Sequence, residues 1–591
     1  MAPDRSELKH LSNLYESAPV ETIRRYCSEL FQDSRLGQEK ILAVDEFCLQ
    51  LLYTDPKTAA GLAKERLERF PDFSVGLPLC CLAGCYAQLG DRVEVIQYCE
   101  RGLKLEIPRR AKLNLLSILR KYRDIGSFLR PIFEGFDVST DGVDMLGKMH
   151  ELAVTNGDLV QAEKIVALIR KCYGNGQVEL AREGPRNNLF WCDHEPTNIK
   201  VTQAAIARHH GTFSTEAPAR TKVGRRKSEE KMTIGYLSAD FRDHPTAYLM
   251  LGAWRHHDRD RFNIVFFDVG WDDKSEVRLE LESFCDELVS LSGFSDKYAA
   301  QVIRDAAVDV LIELNGPTHS NRLGILKYRP APVSIGYLGW PGSYGGDVVD
   351  CVIGDKYVWP DDAESKIPER IIRLGGTYQI NDHKSYPSFG DKGCNPGLNP
   401  GEGSLFSFGN MNNVNKFTLS CWDVWMHILK QCQHSRLVLL DPGKSAKENL
   451  KNLARRYSID ADRIQWLPRC SMMDHLSRIA NIDLVIDSWP YGGHTTTSDA
   501  LSVRVPVLTL AGSSFASRVS GSLVQAAGLG KTLIANSVAE YAEIACSFYD
   551  NPAQLEEVRS FMSRNLSSCS LFDSKGRTRE LEQVIEGLVR G

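Results

Sequence analysis

The chain reads as an α/β protein: two doubly wound, Rossmann-like domains in series, preceded by an all-α region of tetratricopeptide-like helical repeats. Three observations carry this reading. Residues 1–184 alternate amphipathic helical segments with short polar breaks and have almost no strand pattern. From Lys231 onward, short apolar strands alternate with helical stretches. After a loop-rich insert at 378–403, the alternation starts again and fills 404–591. Consecutive β-α-β series predict parallel sheets covered by helices, with ligands beyond the carboxyl ends of the strands.

In the helical region, "LAGCYAQLGDRVEVIQYCERGLKL" has tetratricopeptide spacing, with Leu82, Tyr86, Gly90-Asp91 and Gly102. "LGKMHELAVTNGDLVQAEKIVALI" repeats it with Gly157-Asp158 and Ala162. The two Gly-Asp pairs lie about two 34-residue periods apart, with a weaker repeat near Gly126. Such helix pairs cannot bury their apolar faces alone and are expected to stack. Residues 185–230 collect Pro, Ser and charge and read as a connecting helix plus linker. The strands of 231–377 are expected at "MTIGYLS", "FNIVFFDV", "ELVSLS", "DVLIELN" and "VSIGYLGW". In the last region they fall at "SLFSFGN", "RLVLLD", "RIQWLP", "IDLVIDSW" and "VPVLTLA".

Composition narrows the function. At 591 residues the chain exceeds a single core. A net charge of −5 argues against bulk nucleic-acid binding, and the basic run "RTKVGRRK" (220–227) reads as a solvated linker. No 18-residue apolar run or signal-peptide core stands out, so no membrane partner and a cytoplasmic location are expected. The 16 cysteines sit mostly in apolar runs without recurring zinc spacing, as buried thiols do in a reducing compartment. Oligomeric state is left open.

The chemistry concentrates at strand ends. "DSWPYGGHTTTSDALSV" places His494, Thr495 and Thr496 where a strand gives way to a helix. The unpaired N–H groups of a helix start carry partial positive charge, so a diphosphate fits there. The alternative is that the threonines only cap the helix and the glycines only make the turn. His475 and Arg478 share one helix face nearby, and "SFGNMNNVNKF" ends a strand in a loop carrying Lys416. "DAD" (460–462) mimics a metal-binding D-x-D but reads as a surface turn. "GLGKTL" (528–533) is no P-loop, because Gln525 stands where the first glycine belongs.

These motifs together resemble glycosyltransferase family 41, the protein O-linked N-acetylglucosamine transferases and their bacterial and Spindly relatives. "HTTTSDALSVRVPVLTLAGSSFASRV" carries the resemblance, with "GYLSADFRDHPTAYLM", "ELNGPTHSNR" and "RPAPVSIGYLGWPGSYGGDVVDCVIGD" in the preceding half. It covers about 230–590 and implies a GT-B-type pair of domains. Residues 231–377 would form the acceptor side and 404–591 the nucleotide-sugar side. By resemblance, His494, Thr495 and Thr496 hold the donor diphosphate and Asp499 the ribose. His475 and Arg478 contact the uracil, and Lys416 binds the phosphates with Asn413 beside it. His244 lines the reaction centre, while Asn315, Thr318 and the loop Gly339, Pro341, Gly342 and Ser343 surround the sugar or acceptor. Met472, Trp340 and Ser343 depart from the family pattern and bear on which sugar is used.

The implied activity is inverting, metal-independent transfer of a sugar, N-acetylglucosamine from UDP-GlcNAc, to Ser/Thr of proteins that the helical repeats bind. No cofactor and no metal site are expected. For proton removal His244 and Glu313 are candidates, as are the donor phosphate and a water relay. A UDP-glucose-dependent protein glucosyltransferase and a non-catalytic repeat scaffold are the alternatives. A Spindly-type fucosyltransferase usually lacks the histidine that stands here as His494.

Overall fold

The computed structural model describes residues 4–590 apart from 18–19, 33–36, 53–54, 72, 135, 137–144, 175–187, 212–230, 319 and 383–404. The basic run 220–227 and nearly all of the 378–403 insert lie outside the described residues. The chain divides into two compact units, Met1–Asn156 with Ser292–Ser295, and Gly157–Leu291 with Asp296–Gly591. The helix Leu159–Gly174, read with the repeats, therefore belongs to the second unit.

The first unit is helical among its described residues, from Arg5–Ser17 to Leu146–Thr155. Both Gly-Asp pairs, Gly90-Asp91 here and Gly157-Asp158 in the second unit, do the same work. Each glycine takes a left-handed φ, +76° and +70°, and each aspartate accepts an N–H of the helix it opens. Phe47, Leu51, Leu79 and Leu82, on helices Gln38–Leu51 and Gly76–Gln88, are among the residues that close the core of the first unit.

The second unit holds two all-parallel sheets. The first comprises β1 (Met232–Ser238), β2 (Phe262–Asp268), β3 (Glu287–Ser290), β4 (Val310–Glu313), β5 (Val333–Gly336), β6 (Cys351–Asp355) and β7 (Arg370–Leu374), in the order β3-β2-β1-β4-β5-β6-β7. The second comprises β8 (Phe406–Asn410), β9 (Ser435–Leu440), β10 (Ile464–Leu467), β11 (Leu484–Ile486), β12 (Val507–Leu510) and β13 (Ile534–Ala535), in the order β10-β9-β8-β11-β12-β13. Sequence reading passes over β6, β7 and β13. Glycine interrupts "CVIGD", arginines bracket "RIIRL", and β13 is two residues long. All seven residues of β1 are buried, as expected for a central strand covered on both faces.

Strand order reverses between β1 and β4 in one sheet and between β8 and β11 in the other. Crevices at such switch points are where doubly wound sheets bind ligands. The segments leaving these four strands carry His244, Asn315, Lys416 and His494.

Helix Phe515–Ala526 docks the two sheets. Its Phe515 ring packs on Trp359 at 4.9 Å and Tyr378 at 5.3 Å, and Ser522 Oγ donates to the buried Asp355 carboxylate at 2.6 Å. Asp193, just before the connecting helix Glu195–His210, accepts the N–H groups of Ser513 and Ser514 at that helix start. The last helix, Ser574–Arg590, returns to the first sheet. There Glu582 accepts the Asp258 N–H at 2.7 Å and pairs with buried His257 at 3.0 Å. The end of the chain, read with the second domain, thus braces the first.

Candidate active site

On the second sheet the site is built around two buried residues that sequence reading overlooks, Asn412 and Asp487. Asn412 Nδ2 donates to Asp487 Oδ1 and Ser488 Oγ, both at 3.0 Å. Its Oδ1 accepts Thr496 Oγ1 at 2.6 Å and lies 3.5 Å from Lys416 Nζ. Asp487 accepts the N–H of Gly493 at 2.7 Å and the Thr509 hydroxyl at 3.0 Å. These bonds fold the Gly-Gly turn back against the next helix. A Cβ on Gly493 would stand 2.3 Å from Thr497 Oγ1, so only glycine fits.

Lys416 Nζ donates to Gly492 O at 2.8 Å and lies 4.4 Å from the Tyr491 ring centroid, holding its charge against the turn. Helix Thr495–Ser502 makes its first intrahelical bond from Ser498 N to His494 O, so the N–H groups of Thr495, Thr496 and Thr497 have no partner within the helix. Thr496 and Thr497 hydroxyls bind Asn412 and Ser520. Thr495 makes no side-chain hydrogen bond to protein among the described residues. The result is a cation and a helix start converging at one strand end, which is anion-binding chemistry.

His494 differs from expectation in detail. Its ring stacks on Tyr491 at 4.6 Å, and Nε2 donates to Ala516 O at 3.2 Å. Burial, with the Lys416 charge second, holds its pKa well below the usual histidine range. The ring is therefore neutral, with only Nδ1 able to accept. On helix Met472–Ile479, His475 and Arg478 do share a face: Nδ1 and Nη2 are 3.5 Å apart. His475 Nε2 lies 3.6 Å from the carboxylate of buried Asp499. Met472 opens that helix, half-buried. Asn413 is exposed and spends its Oδ1 capping the turn Val414–Lys416, so its neighbour Asn412 occupies the hub instead.

On the first sheet, His244 caps helix Pro245–His256, its Nδ1 accepting from Thr246 N–H at 3.3 Å. The same nitrogen lies 3.5 Å from Asp240 Oδ2. Burial lowers the His244 pKa, and Asp240 opposes this less strongly. Asp240 also accepts Asn315 Nδ2 at 2.7 Å and Arg242 Nη2 at 3.0 Å. Asn315 is itself buried, its Oδ1 accepting Ala239 N–H at 2.8 Å, so both ends of its amide are bonded to protein and it braces Asp240. Asp240 was missed, although its i, i+4 spacing from His244 in "DFRDH" was the available signal.

Glu313, the other candidate base, is turned into the protein. It is 1% exposed, and its oxygens accept Asn315 N–H, Gly316 N–H and the Tyr344 hydroxyl at 2.9, 2.7 and 2.7 Å. Burial pushes its carboxyl up to about 7 against those bonds. It organises the turn after β4. The loop 339–345 is likewise satisfied internally. Ser343 is buried and donates to Glu369 at 2.7 Å, and Trp340 Nε1 donates to Ser343 O. Pro341 and Gly342 are buried, and Gly339 packs so closely on Leu314 O that no Cβ fits. Of the expected sugar or acceptor residues, Thr318 is half-buried and donates to Asn315 O at 3.1 Å.

Two decoy motifs are turns. Asp460 accepts Asp462 N–H at 3.0 Å within "DAD", and Gly530–Leu533 of "GLGKTL" is one helical turn. A cavity of about 670 Å³ opens beside the turn that follows β11, lined by Tyr173, Trp191, His194, Thr418 and Trp489 among others. That volume suits a ligand site.

Comparison with known proteins agrees with this architecture. A solved O-GlcNAc transferase variant of Thermobaculum terrenum superposes with a TM-score of 0.70 over 93% of this chain and 97% of its own, at 20% identity. A relative from Arabidopsis thaliana, named a probable UDP-N-acetylglucosamine–peptide N-acetylglucosaminyltransferase SEC, is 29% identical over 384 residues, 64% of this chain and 39% of its own. One from Solanum lycopersicum, named SPINDLY with the same probable activity, is 28% identical over 375 residues, 61% of this chain and 39% of its own. The chain thus spans about two fifths of the length of these curated relatives. The family model for glycosyl transferase family 41 matches residues 196–392 and 401–581, and the chain belongs to that family.

Proposed function

We propose that this protein is an inverting, metal-independent glycosyltransferase that moves N-acetylglucosamine from UDP-GlcNAc to Ser or Thr of protein acceptors. The observation that carries the reading is the convergence of Lys416 and the start of helix Thr495–Ser502 at the second sheet's switch point. Transfer requires a nucleoside diphosphate to leave with negative charge, and preorganised donors in such a position stabilise it. The names of the relatives from Arabidopsis thaliana and Solanum lycopersicum supply the sugar and the peptide acceptor.

In this reading, Lys416 and the Thr495–Thr497 N–H groups hold the diphosphate, while the His494 ring, bonded to Ala516 O and stacked on Tyr491, shapes the turn that presents them. His475 and Arg478 contact the base and Asp499 the ribose. His244 removes the acceptor proton. To act as a base the ring must give up the Thr246 cap and carry its proton on Nδ1 toward Asp240, which frees the Nε2 lone pair for the hydroxyl. No metal or other cofactor takes part. The helical repeats select the acceptor, and the enzyme works in the cytoplasm. Among the described residues every cysteine is a free thiol, and no helix is long and apolar enough to cross a membrane.

A donor panel of UDP-GlcNAc, UDP-glucose, UDP-galactose and GDP-fucose, read by mass spectrometry of acceptor proteins, tests the proposal. A HexNAc adduct on Ser or Thr with UDP-GlcNAc alone is expected. A hexose adduct would replace the sugar assignment, and no adduct from any donor would remove the transferase reading.

A further inference from the structure

The second sheet's domain carries a reactive pair away from both switch points. Cys432 caps the C-terminal end of helix Leu419–Gln431, and Cys546 lies on helix Val538–Asp550, 114 residues further along. Their sulfurs are 3.7 Å apart. Cys432 is buried and Cys546 half-buried, so only one of the two is open to a solute.

Both backbones are fixed. Arg463 donates to the carbonyls of Leu429 and Cys432 at 2.8 and 2.7 Å. The Tyr549 hydroxyl, from the helix of Cys546, accepts the His434 N–H at 3.1 Å. The short separation is therefore a property of the packing. The Cys432 thiol donates to the Cys546 sulfur, and this bond holds Cys546 below the usual thiol range. The same bond, with burial second, pushes Cys432 up. Cys546 Sγ in turn donates to Gln431 Oε1 at 3.1 Å, and as the more exposed sulfur it meets a solute first, with a second thiol poised to resolve it.

Cys81 and Cys85 in the helical unit make an instructive contrast. Their sulfurs are 3.8 Å apart, but both are fully buried on successive turns of one helix. Neither offers a solute a way in.

We propose that Cys546 and Cys432 form an oxidative modification site whose substrate is a hydroperoxide and whose product is an intramolecular disulfide. The Cys546 thiolate attacks a peroxide oxygen. The O–O bond breaks, hydroxide or alkoxide leaves, and Cys546 becomes a sulfenic acid. The Cys432 sulfur then attacks the Cys546 sulfur, and the sulfenic hydroxyl departs as water with the Cys432 proton. Two thiols lose two electrons, which reduce the hydroperoxide. The sulfurs must close by about 1.7 Å to reach disulfide bonding distance.

The link would join two helices that support the donor turn at their other ends. Thr418 Oγ1 and Cys421 Sγ both donate to Trp489 O at 3.1 Å, and Tyr541 OH donates to Asp487 O at 2.8 Å.

The test treats the full chain with near-stoichiometric hydrogen peroxide, alkylates remaining thiols and maps unreduced peptides by mass spectrometry. A Cys432–Cys546 peptide is expected as the dominant disulfide, lost on adding dithiothreitol. With Cys432→Ser, the same dose should leave a Cys546 sulfenic acid that dimedone traps. Oxidation confined to exposed Cys470, or a Cys546 adduct without linkage in the wild type, would overturn the proposal. So would a Cys432→Ser protein in which dimedone marks no Cys546.

Discussion

At the second sheet's switch point the groups that converge are an ammonium, Lys416, and the N–H groups that open helix Thr495–Ser502. At the first sheet's switch point they are Asp240, paired with Arg242 and Asn315, and a histidine whose charge is suppressed by burial. Both crevices have the same topology, strand order reversing between two central parallel strands. Their electrostatics differ: one gathers positive charge, and the other balances a carboxylate against a guanidinium beside a neutral ring. One suits an anion that gains charge as it leaves, the other a hydroxyl that gives up a proton. In the proposed reaction the two crevices would serve its two halves, and the difference between them is set by the few residues that follow each strand.

The sharpest way to break this comparison is to remove the cation. Lys416→Ala should lower turnover by roughly 10²–10³-fold, the scale for losing one preorganised donor to a developing anion. Because Lys416 is only half-buried, the melting temperature should hold. A variant keeping more than about a tenth of wild-type turnover would contradict the phosphate role.

The second effect is on stability. Glu313 has a folded pKa raised from 4.5 to about 7. Its contribution is therefore fully present below about pH 4.5 and is lost as pH rises through about 7. Chemical unfolding of the wild type should lose stability from pH 5 to 8 by on the order of 2 kcal/mol more than Glu313→Gln does, whatever the variant's absolute stability. Equal slopes would mean that Glu313 titrates normally.

Smaller still is the effect of Asp240→Asn. It should reduce turnover about tenfold while leaving UDP affinity unchanged. Without the carboxylate that raises it, the His244 pKa falls further, so the acid limb of the kcat/KM profile should move to lower pH. An acid limb that stays in place would separate His244 from proton removal. Least of all should change with EDTA: initial rates are expected to be unaltered, and loss restored by Mn²⁺ would reopen the metal question.

Much of this site was legible in the sequence where chemistry coincides with a strand end. "GGHTTT" and "NNVNK" mark their loops because glycine, hydroxyls and a lone cation follow an apolar run. The helix face of His475 and Arg478 follows from three-residue spacing, and their side chains do meet. Direction is what a linear pattern hides. Asn315 and Ser343 look like solvent-facing loop residues and Glu313 like a free carboxylate at a strand end, yet each turns inward to satisfy backbone or carboxylate groups. Asn412 and Asp487 were invisible for the complementary reason. Their role depends on partners about 75 residues away, joined only when β8 and β11 become neighbours.

The division of labour between the two switch points is tested most directly by UDP binding calorimetry on three proteins: the wild type, Lys416→Ala and His244→Ala. Both substitutions should abolish most transfer. Only Lys416→Ala should weaken UDP, by about tenfold or more, as expected for a lost charge-assisted contact. His244→Ala should bind UDP as the wild type does. Equal loss of UDP affinity in both variants, or in neither, would contradict the account.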